Sequence, residues 1–199
     1  MKNFKRFQNL ILILLSLFIL TSCSSDIVIP EPPIPEVEYI KLDVPYVQQP
    51  KGSNWCVPAS GTMIFNFYDT NVTINQVADN VINEDTGLGS TAKLIAYAKE
   101  LGFKATSHNF TSEELIEVLK QGIPVIVGQD YSLIYDIPHT RVYIGLDDKL
   151  KEFITNDPSS LLGEDYHIPY SEAIALNTSK PPYFHTIIIT PENVDFILP

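Results

Sequence analysis

At Gly122 the apolar residues of this chain change their spacing. Upstream, apolar side chains recur three and four residues apart, as on one buried stripe of a helix; downstream, short β-branched runs stand between Gly, Pro, Asp and Asn. The spacing predicts helices over residues 58–68 (with Pro58 in the first turn and Met63, Ile64, Phe67 and Tyr68 on the apolar side), 73–81, 92–101 and 111–122. Thr73 with Gln76, and Thr111 with Glu114, have the three-residue spacing at which a hydroxyl and a long polar side chain cap each other's backbone N–H. Gly102 suits the left-handed position that closes a helix. Strands are predicted over 123–128, 141–146, 151–155 and 186–190, with a short opening strand over 42–49. Helices first and antiparallel strands second make an α+β domain. No repeat of 20 to 50 residues is present, which removes solenoids and propellers.

The 199 residues, 45% apolar, supply one ordinary core without staples. The net charge of −11 argues against a surface that tracks phosphates, so nucleic acid is not an expected partner.

The N-terminus differs from the rest. Lys2, Lys5 and Arg6 precede an apolar run from Leu10 to Leu20, too short for a preferred membrane span and built like an export signal. It ends in Leu20-Thr21-Ser22-Cys23, which resembles the lipobox of bacterial lipoproteins, in which the cysteine becomes the lipid-modified N-terminus. Residues 1–22 are then a signal peptide. Residues 23–41 form a tether in which Pro30, Pro32, Pro33 and Pro35 favour an extended polyproline chain, and 42–199 form the domain. Losing residues 1–22 removes three of the 13 basic side chains and none of the 24 acidic ones, leaving the mature chain at −14. The expected location is the cell envelope, outside the cytoplasm, anchored by lipid on Cys23. Cys56 is then the one free thiol of an exported protein, and so a candidate reactive group.

Four elements could do chemistry. Cys56 stands just before a helix, where the positive end of the helix dipole favours thiolate over thiol; a buried structural cysteine is the plainer alternative. His139 opens an apolar strand, placed to take the thiol proton and return it to a leaving group. Asn156 and Asp157, at the end of the next strand, each have the chemistry to hydrogen-bond the far imidazole nitrogen and fix its tautomer. Gln49 offers an amide donor that, with the backbone N–H of Cys56, can hold an oxyanion; Gln48 beside it has the same chemistry. His185 also precedes a strand but lacks a following Asn-Asp turn, and His108 and His167, in polar loop-like surroundings, receive no role. The segment 129–138 is long enough for a flap, and Trp55, Tyr131 and Tyr135 are candidates to line a peptide cleft. Metal-binding spacings such as Cys-x-x-Cys and His-Glu-x-x-His are absent from the sequence. Gly87 and Gly89 lack the Gly-Lys-Ser of a phosphate loop.

The ordered segments VPYVQQ, NWCVPAS, QGIPVIVG, HTRVYIGLDD and FITNDP resemble the papain-like cysteine peptidases of the bacteriocin-leader-processing, or double-glycine, type. The resemblance runs from Leu42 to Pro158. It implies a papain-like fold with the nucleophile at a helix N-terminus packed on an antiparallel sheet. It further implies Cys56 as nucleophile, His139 as general base and acid, Asp157 as orienter and Gln49 as oxyanion donor, with no cofactor and a peptide or protein as substrate. Val57 and Pro138 stand where many relatives have glycine, which alters the rim of the cleft. Known relatives are fused to export transporters, and no such segment is found here, so leader processing is not the expected task. A monomer is expected. Two other readings stand beside this one: a cell-wall amidase or endopeptidase of the NlpC type, whose sites typically read Asp-Cys-Ser rather than Trp55-Cys56-Val57, and a non-catalytic peptide-binding module on the same fold.

Overall fold

The computed structural model describes residues 39–177 and 183–199. The expected signal segment, Cys23 and most of the tether lie outside the described residues. In chain order the elements are β1 (Tyr39–Lys41), α1 (Cys56–Phe67), α2 (Ile74–Val81), α3 (Thr91–Glu100), β2 (Phe103–Phe110), α4 (Ser112–Lys120), β3 (Val125–Asp130), β4 (Pro138–Asp147), β5 (Glu152–Asn156), β6 (Tyr166–Pro169), α5 (Tyr170–Ala175) and β7 (Phe184–Pro191).

The strands form one antiparallel sheet in the order β2-β7-β3-β4-β5-β6, and β1 pairs with the last residues of β4. Period-two alternation divides the core between its faces. Ile126, Val142, Ile144, Ile187 and Ile189 pack with Met63, Phe65, Val77 and Leu94 of the first three helices. Their strand neighbours Val125, Val127, Tyr143 and Ile188 pack on the other side with Leu115 and Leu119 of α4 and Phe153 of β5. Gly145 permits the approach of β1, because a Cβ there would overlap the Ile40 carbonyl.

Both expected capping boxes form, at the starts of α2 and α4. Gly102 and Gly122 take left-handed φ values of 83° and 79° just after α3 and α4. The simple order of helices then strands does not hold. β2 lies between α3 and α4, and its polar Ser107, His108 and Asn109 conceal a strand whose edge position leaves much of it in water. β6 and α5 are four and six residues long, too short to show a period. His108 and His167 therefore belong to strands rather than loops. The segment 42–49 is not a strand, since Pro45 has no N–H for a ladder. It is held extended by single bonds, Leu42 N–H to the Ile144 carbonyl (2.8 Å) and Gln49 N–H to the Pro158 carbonyl (3.0 Å). The sheet instead starts at Tyr39, inside the last residues expected to be tether.

Candidate active site

Helix α1 starts at Cys56 itself, two residues before the sequence placed it. Trp55 occupies the cap position without a side-chain hydrogen bond, so the first N–H groups of α1 are left facing the cleft end of the helix. The half-buried Cys56 thus sits in the first turn, where the helix dipole favours a thiolate. Val57 and Ile64 pack this helix against Val142 and Ile144 of β4, and the Ser60 hydroxyl meets that of Thr140 at 3.2 Å.

Strand β4 carries His139 as its second residue. Its Nε2 lies 3.1 Å from each carboxylate oxygen of Asp157, which immediately follows β5. With Nε2 engaged by Asp157, Nδ1 is the imidazole nitrogen left for Cys56, which lines the same cleft. Burial opposes charge on both groups. At Cys56 it raises the thiol, but the His139 hydrogen bond and charge, with hydrogen bonds from the Thr140 side chain and backbone, outweigh it and bring the pKa below its ordinary 9.0. At His139 burial lowers the pKa, but the bonds to Asp157 and Cys56 outweigh it and bring the group above 6.5. Both shifts favour a thiolate–imidazolium pair.

The two alternatives left by the sequence separate in space. Asn156 turns away, donating to the Val44 carbonyl (3.0 Å) and accepting from the Asp165 N–H (3.1 Å), while Asp157 faces the imidazole. Gln48 is exposed; Gln49 lines the cleft with Cys56. One hydrogen of the Gln49 amide goes to the Ser53 carbonyl at 2.9 Å, which fixes the side chain and leaves the second.

Residues 41–179 match the Peptidase C39 like family. The chain belongs to that family. It is a cysteine peptidase, a hydrolase of papain-like fold. Among solved structures it is similar to a double glycine motif protease from an AMS/PCAT transporter in complex with the leader peptide, at 22% identity and a TM-score of 0.57, covering 78% of this chain and 99% of that one. It is also similar to the peptidase domain of Streptococcus ComA, a bi-functional ABC transporter involved in quorum sensing, at 18% identity and a TM-score of 0.58, covering 74% and 98%. No curated protein matches.

The C39-like site contains side chains that sequence reasoning missed. Arg141, 1% exposed, brings its Nε to 2.5 Å from Asp157 Oδ2, an ion pair off the axis of a hydrogen bond, and gives its terminal nitrogens to the carbonyls of Asp130 (3.1 Å) and Tyr131 (2.5 Å). The Ser159 N–H completes the carboxylate's partners at 2.7 Å from Oδ1. An arginine inside the apolar run RVYIGL was the available signal, because a charge on a buried strand needs a counter-charge. Thr140, beside the histidine, carried no such mark.

The cleft between α1 and the β3–β4 end encloses about 760 Å³. Tyr131 sets its ring edge-on to His139, 5.2 Å between centroids, and its hydroxyl lies 3.1 Å from that of Ser159. Trp55 and Tyr135 do not line the cleft, whereas Leu88, Ile137 and Leu161 form an apolar rim. His185 also lines it, in register with Gly128 and apart from Asp157. Among the described residues no group of three His, Cys, Asp or Glu side chains is arranged to hold a metal ion.

Proposed function

We propose that this protein hydrolyses peptide bonds through a Cys56–His139–Asp157 triad, outside the cytoplasm, from a lipid anchor on Cys23. The single observation that supports the triad is the placing of His139, bound through Nε2 to Asp157 with its other nitrogen uncommitted, in the cleft that Cys56 also lines.

In this mechanism the Cys56 thiolate attacks the substrate carbonyl carbon, and the carbonyl electron pair moves to oxygen. That oxyanion forms beside the Cys56 N–H and the uncommitted Gln49 amide hydrogen. His139 passes its Nδ1 proton to the departing amine as the C–N bond breaks, leaving a thioester on Cys56. His139, now neutral, removes a proton from water; the hydroxide adds to the thioester, the C–S bond breaks, and the thiolate–imidazolium pair returns. Asp157 stays ionised, holding the tautomer and facing the imidazolium charge.

The anchor rests on the tripartite N-terminus and the Leu20-Thr21-Ser22-Cys23 sequence. A peptide as substrate is supported by the family match and by the leader peptide held in the related transporter protease.

The test is turnover of a mixed peptide library by the purified full-length protein, with Cys56→Ala as control. Cleavage abolished by that substitution supports the reading, and cleavage that survives it overturns the assignment. Mass spectrometry of the exported protein tests the anchor: a diacylglyceryl cysteine at position 23 is expected, and an unmodified Cys23 contradicts it.

A further inference from the structure

The cleft holds a carboxylate that the mechanism does not use. Asp130 ends β3, is 7% exposed and lines the cleft with Cys56 and His139. Its backbone is committed: the N–H donates to the Leu176 carbonyl at 2.9 Å, and the carbonyl accepts from Arg141 at 3.1 Å. Its carboxylate is not. Among the described residues no donor or cation lies within hydrogen-bond or ion-pair distance of it. Arg141, in register with Val127, belongs to the opposite sheet face and is occupied by Asp157 and two carbonyls.

The Asp130 side-chain oxygens are not among the sealed, unpartnered polar atoms of the interior, so the carboxylate stays open to the cleft and is free to take a cation there. The cleft lining contains no lysine or arginine; apart from Asp130 its ionisable members are Asp136, His139, His185, Cys56 and Tyr131. His139 is already engaged by Asp157, and His185 makes no ion pair with Asp130. A cation for this carboxylate would therefore come from what enters the cleft.

Register fixes how far from the nucleophile that partner sits. Thr140, which lines the cleft with Cys56 and meets Ser60 of the same helix, is the Cα partner of Gly128, and Asp130 is two residues further along the same strand face. Two strand residues span about 7 Å, the reach of two residues of an extended peptide. Gly128 leaves this path open: a Cβ there would press to 3.3 Å from the His185 ring.

We infer that the Asp130 carboxylate is a subsite for a cationic group of the substrate, an ammonium or guanidinium carried within about two residues of the scissile bond. This rests on the peptidase reading and narrows it to basic peptides. The cation forms a charge-assisted hydrogen bond with a carboxylate already held in place.

The test compares matched peptides carrying Lys, Arg, citrulline or norleucine near the cut, each with a free and an acetylated N-terminus, on full-length protein. Lys or Arg peptides are expected to show kcat/KM at least about tenfold above the neutral ones. Asp130→Asn should remove that preference, and Glu192→Gln, an exposed charge outside the cleft, should keep it. If acetylation alone removes the preference, the cation is the peptide's own α-amine. Equal rates for charged and neutral peptides, or a preference that survives Asp130→Asn, overturn the subsite.

A second measurement needs neither turnover nor a variant at Asp130. In a Cys23→Ser background, butylguanidinium should slow alkylation of Cys56 by neutral iodoacetamide several-fold, while butylurea should not. Equal effects overturn the subsite. If no peptide is cleaved although Cys56 reacts, the peptidase reading fails and this comparison alone decides whether Asp130 binds cations.

Discussion

His139 Nε2 stands 3.1 Å from both carboxylate oxygens of Asp157, eighteen residues further along the chain, and this leaves the other face of the imidazole to Cys56. A strand, a turn and the returning strand bring the two together. In the proposed mechanism this relationship holds a proton on Nε2 and leaves Nδ1 to exchange protons with sulfur.

Neighbouring residues should therefore respond differently to alanine. Asp157→Ala is expected to lower kcat/KM by about 10³–10⁴-fold, as loss of the orienting group does in other triads. Asn156→Ala removes bonds to Val44 and Asp165 instead, and should cost about 1–2 kcal/mol of stability with hydrolysis little changed. Steady-state kinetics and urea denaturation of the two variants check both.

The adjacent glutamines separate in the same way. Gln49→Ala should reduce kcat by about 10²–10³-fold, with KM changed far less, because a donor to the oxyanion acts only once charge develops. Gln48→Ala, at an exposed position outside the cleft, should leave both constants near wild type.

Arg141 ties three groups together: Asp157, the last carbonyl of β3 and the first carbonyl of the loop between β3 and β4. Replacing it with methionine leaves a buried carboxylate without its cation, a loss of about 3–5 kcal/mol. A clear fall in Tm is expected, and an unchanged Tm would show that the guanidinium contributes nothing net.

The sequence was legible where one residue type has one physical use. Thr73 with Gln76 and Thr111 with Glu114 identified two helix starts, and Gly102 and Gly122 two helix ends, because caps and left-handed turns depend on local chemistry. Cys56 and His139 were legible from their places at the start of a helix and of a strand, and both line one cleft. Whether Asn156 or Asp157 faced the imidazole was not legible, since alternation on a strand fixes opposite faces without saying which one holds the histidine. β2 escaped notice because an edge strand can carry polar residues on both faces, and 42–49 read as a strand because alternation alone does not register the missing N–H of Pro45. Arg141 and Asp130 acquire meaning only through partners brought near by the fold, or through the lack of one.

The most direct test is the pH dependence of Cys56 alkylation in the full-length protein with a Cys23→Ser background, compared with His139→Ala. Alkylation follows the thiolate, so a thiol lowered by His139 reacts fast at pH values where an ordinary cysteine is protonated. The account predicts a wild-type inflection below 9.0 that moves upward to 9.0 or beyond in His139→Ala, where burial still disfavours charge and the imidazolium is gone. Superimposable profiles, with both inflections at or above 9.0, would contradict it and make Cys56 a structural thiol.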